Sequence, residues 1–408
     1  MNDAASAPQH DLASCPSGRQ PESPRRIVPL RIALVLGGGG LKGFAHIGVL
    51  QALAEAGIRP TLYAGTSIGA LVAAAGASGM ETSAMADRAI RLQRRDLFRL
   101  NHVGMLLERR RTSSIYAGEP LRALCEGNVP GCSFDRLPVP VLVNTVDVEH
   151  GTQVVWGLPG LRDVPVCDAV YASCALPGFF PPGAVGGRLC IDGGTIDNLP
   201  VQIAGLDADA VIAVDVGSTD LSHSGNVLSQ GFAAIYMRAA TAMMHSLQLV
   251  PLTDWEGPPM LLIRPRIGHV GWLSFSDTEG LIAEGYRAAR EALANWEAVI
   301  RAPRGRIFPC RHVRIDVDRA KCTGCGMCVA LAPDVMRLDA SGKARALSDV
   351  QWSPADGDFI HQCPVNALSM QTLAATEHGR RSSAERRREL ERRSSGGGTP
   401  AGESEEVA

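Results

Sequence analysis

The sequence lacks any excess of charge of one sign: across 408 residues, 40 Lys and Arg stand against 42 Asp and Glu, for a net charge of -2 at pH 7. Nucleic-acid binding depends on a concentrated positive field, so no nucleic-acid partner is expected. Unbroken apolar runs of membrane length are also missing. Stretches 60–80 and 169–187 are uncharged, but Gly, Thr and Ser interrupt the first and Pro177, Pro181 and Pro182 the second, so both read as buried core. Residues 1–29 hold no apolar segment of the kind a secretory signal needs; rich in Pro and Ser, they read as a disordered arm. Aromatic residues are scarce at 5%, whereas glycine reaches 44 residues gathered in short clusters. The clusters follow no period of three, which excludes a collagen-like repeat and points to backbone turns with a specific task. A chain of this length and of average apolar and charged content is expected to hold two or three soluble domains.

Residues 31–36 form a short apolar run suited to a buried parallel strand; a glycine-rich turn, Gly37 to Gly43, and a helical pattern over 44–55 follow at once. A second strand, 61–64, leads through Gly65-Thr66-Ser67-Ile68-Gly69 into an Ala-rich helix. Further strands are expected at 139–146, 153–156, 188–191, 210–216 and Met260–Ile263, and helices at 227–249 and 275–300. This alternation argues an α/β fold with a largely parallel sheet. A polar, Pro/Gly-containing stretch at 301–306 separates a domain over 30–303 from a compact unit over 310–373. Beyond it, seven arginines in 380–393, a Ser/Gly/Pro stretch and an acidic end make 374–408 a disordered tail.

Gly65-x-Ser67-x-Gly69 has the form of a nucleophile elbow, a tight strand-to-helix turn that needs glycines and exposes the serine. Upstream, the run from Gly37 to Gly43 sets consecutive backbone N–H groups at a helix start, where they could hold an oxyanion while Lys42 adds positive field. Gly38, Gly40 and Gly43 also satisfy a dinucleotide-binding spacing. That reading wants a carboxylate at the end of the second strand, which here reads Tyr63-Ala64-Gly65, and a phosphate loop wants a Gly-Lys-Ser/Thr that is absent. The third element is Asp192-Gly193-Gly194, directly after a strand, where open α/β sheets carry their sites. Asp192 is the candidate base. His46 reads as a packed helix residue.

Together these residues resemble the patatin-like phospholipase family: GGGGLKG, GTSIG and DGGTIDNLPV, with AHIGVL after the loop and DAVYASCALPGFFPP before the aspartate, all in order over 32–300. The resemblance implies a three-layer α/β/α hydrolase with a mostly parallel central sheet. It also implies a Ser-Asp dyad: Ser67 attacks an ester carbonyl, Asp192 takes its proton, and amides of Gly38, Gly39, Gly40 or Gly43 stabilise the oxyanion. The alternative is a Ser-His-Asp triad completed by His223, His245 or His269. Lipid esters live at interfaces, and the segment 88–111, with eight arginines against two acids and interleaved apolar residues, reads as a docking face, a lid or an ordinary solvated helix. The cluster over 380–393 reads as a charged tail or an attraction to anionic lipid.

Of 11 cysteines, Cys322, Cys325 and Cys328 at x-x spacing and a distant Cys363-Pro364 supply four thiolates in an iron-sulfur arrangement. Zinc would show two separated Cys-x-x-Cys pairs or Cys/His pairs, and neither occurs. The other seven, Cys310 among them, read as packing residues, and a reducing cytoplasm is expected, with association at a membrane surface. Residues 312–370, through KCTGCGMCVALAPDVMRLD and QCPVNALSM, resemble single-cluster bacterial-type ferredoxins, which implies a small α+β domain with one [4Fe-4S] cluster.

The expected function is a serine acyl hydrolase acting on phospholipid or other lipid esters, with no cofactor needed for hydrolysis and a cluster that regulates it, anchors a redox partner protein or reports redox state. The alternative is an electron-transfer protein whose hydrolase-like domain serves as a lipid-binding scaffold. A third reading makes the cluster a structural staple for a domain too small to be very stable alone.

Overall fold

The computed structural model describes residues 30–101, 114–217, 235, 239, 243, 247, 251–252, 255–267, 270–272, 274–309, 311–333, 335–347, 350–352, 359–360 and 363–372. The expected arm and tail, the cluster at 380–393, Cys310, and most of the helix at 227–249 lie outside the described residues. The chain's contacts set Met1–Leu30 apart from Arg31–Ala408, and all that follows concerns the second unit.

Nine strands build one sheet: β1 (Ile32–Leu36), β2 (Leu62–Thr66), β3 (Val141–Asp147), β4 (Thr152–Trp156), β5 (Gly183–Val185), β6 (Arg188–Asp192), β7 (Ala210–Val214), β8 (Met260–Ile263) and β9 (Ile307–Phe308). The unbroken apolar run IALVL makes β1 a strand buried at every position, as the middle of a parallel sheet requires. It pairs in parallel with β2 and β7; β3 continues beyond β2, and β8 and β9 continue beyond β7, all parallel. Only β4, β5 and β6 run antiparallel to their neighbours. Alternate residues of β1 feed two cores. Ile32, Leu34 and Leu36 face one with the helices Ala45–Glu55, Ile68–Ala77 and Thr278–Leu293, while Ala33 and Val35 face another with Leu199, Val201, Leu252 and Trp255. The result is the expected mostly parallel α/β architecture, with cores on both faces of the sheet.

Two departures from the sequence reading have local causes. The helix expected over 275–300 is two, Thr278–Leu293 and Trp296–Ile300, because the Asn295 side chain donates to the Ala292 carbonyl and interrupts the ladder. Strands β5 and β9, three and two residues long, carry too little pattern to be foreseen.

The following residues form a smaller antiparallel sheet of β10 (Arg311–Val317) between β13 (Val350–Trp352) and β14 (Leu368–Thr372), plus a ribbon of β11 (Met336–Leu338) and β12 (Ala344–Ala346). Their core is small. It is built on Ile315, Met336, Ala344, Phe359, Ile360, Ala367 and Leu368, together with Cys322 and Cys328.

One detail of the large sheet positions the site. Strand β2 pairs with β3 up to Thr66 opposite Asn144, and β6 pairs with β3 from Asp192 opposite Thr145. Since β4 occupies the other edge of β3 from Val143 to Asp147, β2 and β6 share one edge and meet end to end. Asn144, fully buried at that junction, donates to the Asp197 carbonyl at 2.6 Å and the Gly193 carbonyl at 3.3 Å, and accepts from Gln153 at 2.9 Å. Asn144→Leu strips these groups of their partner inside the protein, and a loss of about 2–4 kcal/mol is expected. It should appear as a lower urea midpoint at unchanged slope.

Candidate functional site

Ser67 is the single residue between β2 and the helix Ile68–Ala77, with φ 56° and ψ -130°. Positive φ is unfavourable for a side-chain-bearing residue and persists only where the surroundings over-determine it. Here they do. The Ser67 amide donates to Ser173 Oγ at 2.8 Å, Ser173 Oγ donates onward to the Asn144 carbonyl at 2.6 Å, and the Ser67 carbonyl accepts from Ala70 and Leu71. Gly65 and Gly69 flank the turn, Gly65 pressed on the Gly69 carbonyl and Gly69 on that of Leu36.

Asp192 ends β6 and is 3% exposed. Its carboxylate accepts at 2.8 Å from the Gly194 amide, and its own amide donates to the Ala175 carbonyl at 3.1 Å. Burial strips water from the carboxylate and pushes its pKa up to about 6, against the Ser67 hydroxyl and the Gly194 amide, which favour the anion. Gly193, Gly194 and Thr195 form a single 3-10 turn, with Gly193 packed on Asn144.

The glycine run lies over the serine: a Cβ on Gly38 would come 3.2 Å from Ser67 Cβ. The Gly37 amide donates to the Val214 carbonyl, and Gly38 exchanges two hydrogen bonds with Asn198, its amide donating to the Asn198 carbonyl and its carbonyl accepting from Asn198 Nδ2. Gly38 is therefore already engaged. The amides of Gly39, Gly40 and Ile68 meet no acceptor among the described residues. Gly40, at φ 59°, turns the chain where the Trp272 carbonyl leaves no room for a side chain. Gly43 packs on Ile68. Lys42 is fully buried, its Nζ without a hydrogen-bond partner among the described residues and 5.8 Å from the centre of the Trp272 ring; burial pushes its pKa down to about 8, and Asp215 opposes the shift.

Three contributors were not foreseen: Ser173, Asn144 and Asn198. All three are buried, and Ser173 and Asn144 interrupt largely apolar runs, the one local signal that such a side chain holds something. His223, His245 and His269 lie outside the described residues, as do residues 102–113 of the basic segment. In its described part Leu97 is buried and Leu92 and Phe98 pack on the core, leaving Ile90 and Leu100 exposed.

The four cysteines Cys322, Cys325, Cys328 and Cys363 line one cavity with Leu338, Val365 and Ala367. Four thiols gathered round one cavity are the donor set that an iron–sulfur cluster takes. Backbone amides point at the sulfurs, Ala344 at Cys322 (3.4 Å) and Ala367 at Cys363 (3.3 Å), as thiolates bound to iron require.

Comparison with known proteins agrees with both halves. Residues 34–204 match the family model described as patatin-like phospholipase, and residues 315–370 match a 4Fe-4S single cluster domain. The second match assigns an iron-sulfur cofactor to the C-terminal part. An NTE family protein of Mycobacterium tuberculosis is 36% identical over 191 residues, 47% of this chain and 50% of its own length. Patatin-like phospholipase domain-containing protein 6 of Mus musculus is 37% identical over 246 residues, 59% of this chain and 17% of that protein. The chain spans about half the length, or less, of the curated relatives it matches. Among solved structures, VipD from Legionella pneumophila is similar with a TM-score of 0.37 at 18% identity, over 65% of this chain and 67% of that one. ExoU from Pseudomonas aeruginosa, in complex with SpcU, gives 0.36 at 15% identity, over 67% and 53%. No described helix is long and apolar enough to cross a membrane.

Burial gives Asp192 an electrostatic cost. An acid whose pKa rises on folding contributes no penalty below about pH 4, where it is protonated in both states, and the full penalty above about pH 6, about 3 kcal/mol. Asp192→Asn, neutral throughout, should raise the urea-unfolding free energy by up to about 3 kcal/mol at pH 8, with the gain vanishing by pH 4. An equal midpoint at pH 8 would mean that the carboxylate is solvated.

Proposed function

We propose that the chain is a serine acyl hydrolase of lipid esters, phospholipids in the first place, with a Ser67-Asp192 dyad. The observation that carries this reading is the end-to-end meeting of β2 and β6 on β3, which brings a strained serine to the end of the strand whose last residue is a buried carboxylate. Ser67 Oγ attacks the ester carbonyl carbon as its proton passes to Asp192. The carbonyl oxygen becomes an oxyanion that the amides of Gly39 and Gly40, with Ile68, are free to receive. Collapse breaks the ester C–O bond, and Asp192 returns its proton to the departing alcohol or lysolipid. Water then repeats the sequence on the acyl-enzyme and releases the fatty acid. A carboxylate with a pKa of about 6 is a stronger base than an ordinary aspartate yet is ionised at neutral pH. The arrangement needs no metal.

In this reading residues 30–303 form the hydrolase domain and 310–373 a ferredoxin-type domain with one [4Fe-4S] cluster on Cys322, Cys325, Cys328 and Cys363. The cluster supplies one-electron chemistry or a redox-sensitive staple, with a redox partner protein, in a cytoplasmic protein that meets its substrate at a membrane surface. Two of the four cysteines are part of the small core, which favours the staple.

The test is fatty-acid release from phospholipid and short-chain ester panels by anaerobically purified protein. Ser67→Ala and Asp192→Asn should each remove release, about 1,000-fold or more, and wild-type kcat should climb through about pH 6 as Asp192 loses its proton. His223→Ala, His245→Ala and His269→Ala should leave it largely intact, and a folded but inactive His variant would replace the dyad with a triad. For the cluster, iron and sulfide analysis should give about four of each per chain. Cys363→Ser should lose both together with the visible absorbance, and a single zinc per chain would overturn the assignment.

A further inference from the structure

The glycine run can stabilise an oxyanion only if its amides stay aimed, yet it has few side chains to hold it. Glycine-rich backbone has the most freedom to lose, so its conformation must be imposed by hydrogen bonds from outside. Three neighbours supply them at its start: the Val214 carbonyl to the Gly37 amide, Asn198 to both polar groups of Gly38, and His46 Nε2 to the Gly37 carbonyl at 2.8 Å. We propose that His46 is a positioning residue of this loop, its Nε2–H fixing the Gly37–Gly38 peptide plane so that the next two amides face the reacting carbonyl. This rests on the acyl-hydrolase reading of Ser67 and Asp192.

The chemistry of the contact defines the imidazole. A carbonyl only accepts, so His46 must carry its proton on Nε2, which leaves Nδ1 bare. Nδ1 is buried and has no partner among the described residues, and His46, on the helix Ala45–Glu55, is wholly enclosed. Its bond to Gly37 is thus the only polar contact the imidazole makes among the described residues, and a buried imidazole is costly unless that contact matters. Enclosure keeps the ring neutral, with a pKa near 4, although Asp215 pulls the other way. A substituted helix residue of merely structural importance would alter stability; a residue that aims the loop alters the transition state and spares substrate binding.

The test uses the full chain. His46→Leu fills similar space but donates nothing; His46→Gln keeps an amide N–H donor. For Ser67-dependent hydrolysis of a short-chain ester, His46→Leu should lower kcat by about 10- to 100-fold with KM within about threefold of wild type. His46→Gln should recover most of the loss. A folded His46→Leu protein with wild-type kcat, or equal losses in both variants, overturns the inference. A second readout is independent of turnover. Ring 15N NMR should give a protonated Nε2 and a bare Nδ1 that does not titrate at the ordinary histidine pKa, and exchange of the Gly37 and Gly38 amides, hydrogen-bonded to Val214 and Asn198, should quicken in His46→Leu. An Nδ1–H tautomer, or unchanged exchange, overturns the positioning role even if the wild type proves active; absence of Ser67-dependent turnover with both NMR results as expected overturns the hydrolase reading alone.

Discussion

The site depends on one hydrogen-bonded edge. Strand β3 accepts β2 along its first half and β6 along its second, on the same side and from opposite directions, so the residue after β2 and the last residue of β6 must lie together. Register is what makes this work, because a slip by one residue would turn every side chain of β3 to the other face of the sheet. The two residues at the junction are pinned on opposite faces. Asn144 holds the Gly193 and Asp197 carbonyls, while Thr145 donates to the Val154 carbonyl and accepts from the Trp156 indole at 2.9 Å. Each bond opposes the slip that would part Ser67 from Asp192.

Around that junction the fold tolerates several unfavourable features at once: a serine at positive φ, a buried carboxylate and a buried lysine whose ammonium has no hydrogen-bond partner among the described residues. Such a concentration is characteristic of a functional site, where local strain is sustained by the rest of the structure. The support comes from the two cores on either face of the sheet and from the helix ending at Cys174. Ser173 in that helix holds the Ser67 amide, and the next-but-one carbonyl, Ala175, holds the Asp192 amide. One helix end thus restrains both groups. A helix that shifted as a unit would move them together, which preserves their separation better than two independent anchors could.

The local motifs were readable because their physics is local. Gly65, Ser67 and Gly69 form one turn, the IALVL run is a strand buried on both faces, and the cysteine spacing wraps one loop. What could not be read depends on residues far apart in the chain. Gly38 belonged to the expected donor set, but its amide is engaged by Asn198, 160 residues away. Ser173 sits in an Ala-rich helix with nothing nearby to show that its hydroxyl reaches another strand. His46 had the features of a packed core histidine, and its contact to Gly37 emerges only once the loop folds back over the helix. Lys42 was expected to lend its charge to the oxyanion, and its ammonium instead lies against Trp272 in the field of Asp215.

The C-terminal core poses a different energetic problem. Cys322 and Cys328 contribute to a hydrophobic cluster of few residues, although in the proposed iron–sulfur site they would be thiolates. The two feel different surroundings. Amides of Ala344 and Gly324, with Lys343 and Arg319 nearby, hold the Cys322 thiol below its ordinary range, whereas burial and the neighbouring thiolates push Cys328 up. Protein groups therefore compensate part of the charge, and the remainder falls to iron, whose positive charge removes the repulsion among four thiolates gathered in one cavity. A core of this size has little apolar area with which to offset such repulsion. In the proposed four-cysteine site, cluster binding and folding of this part would be a single event, and redox chemistry at the cluster would leave its four sulfurs attached.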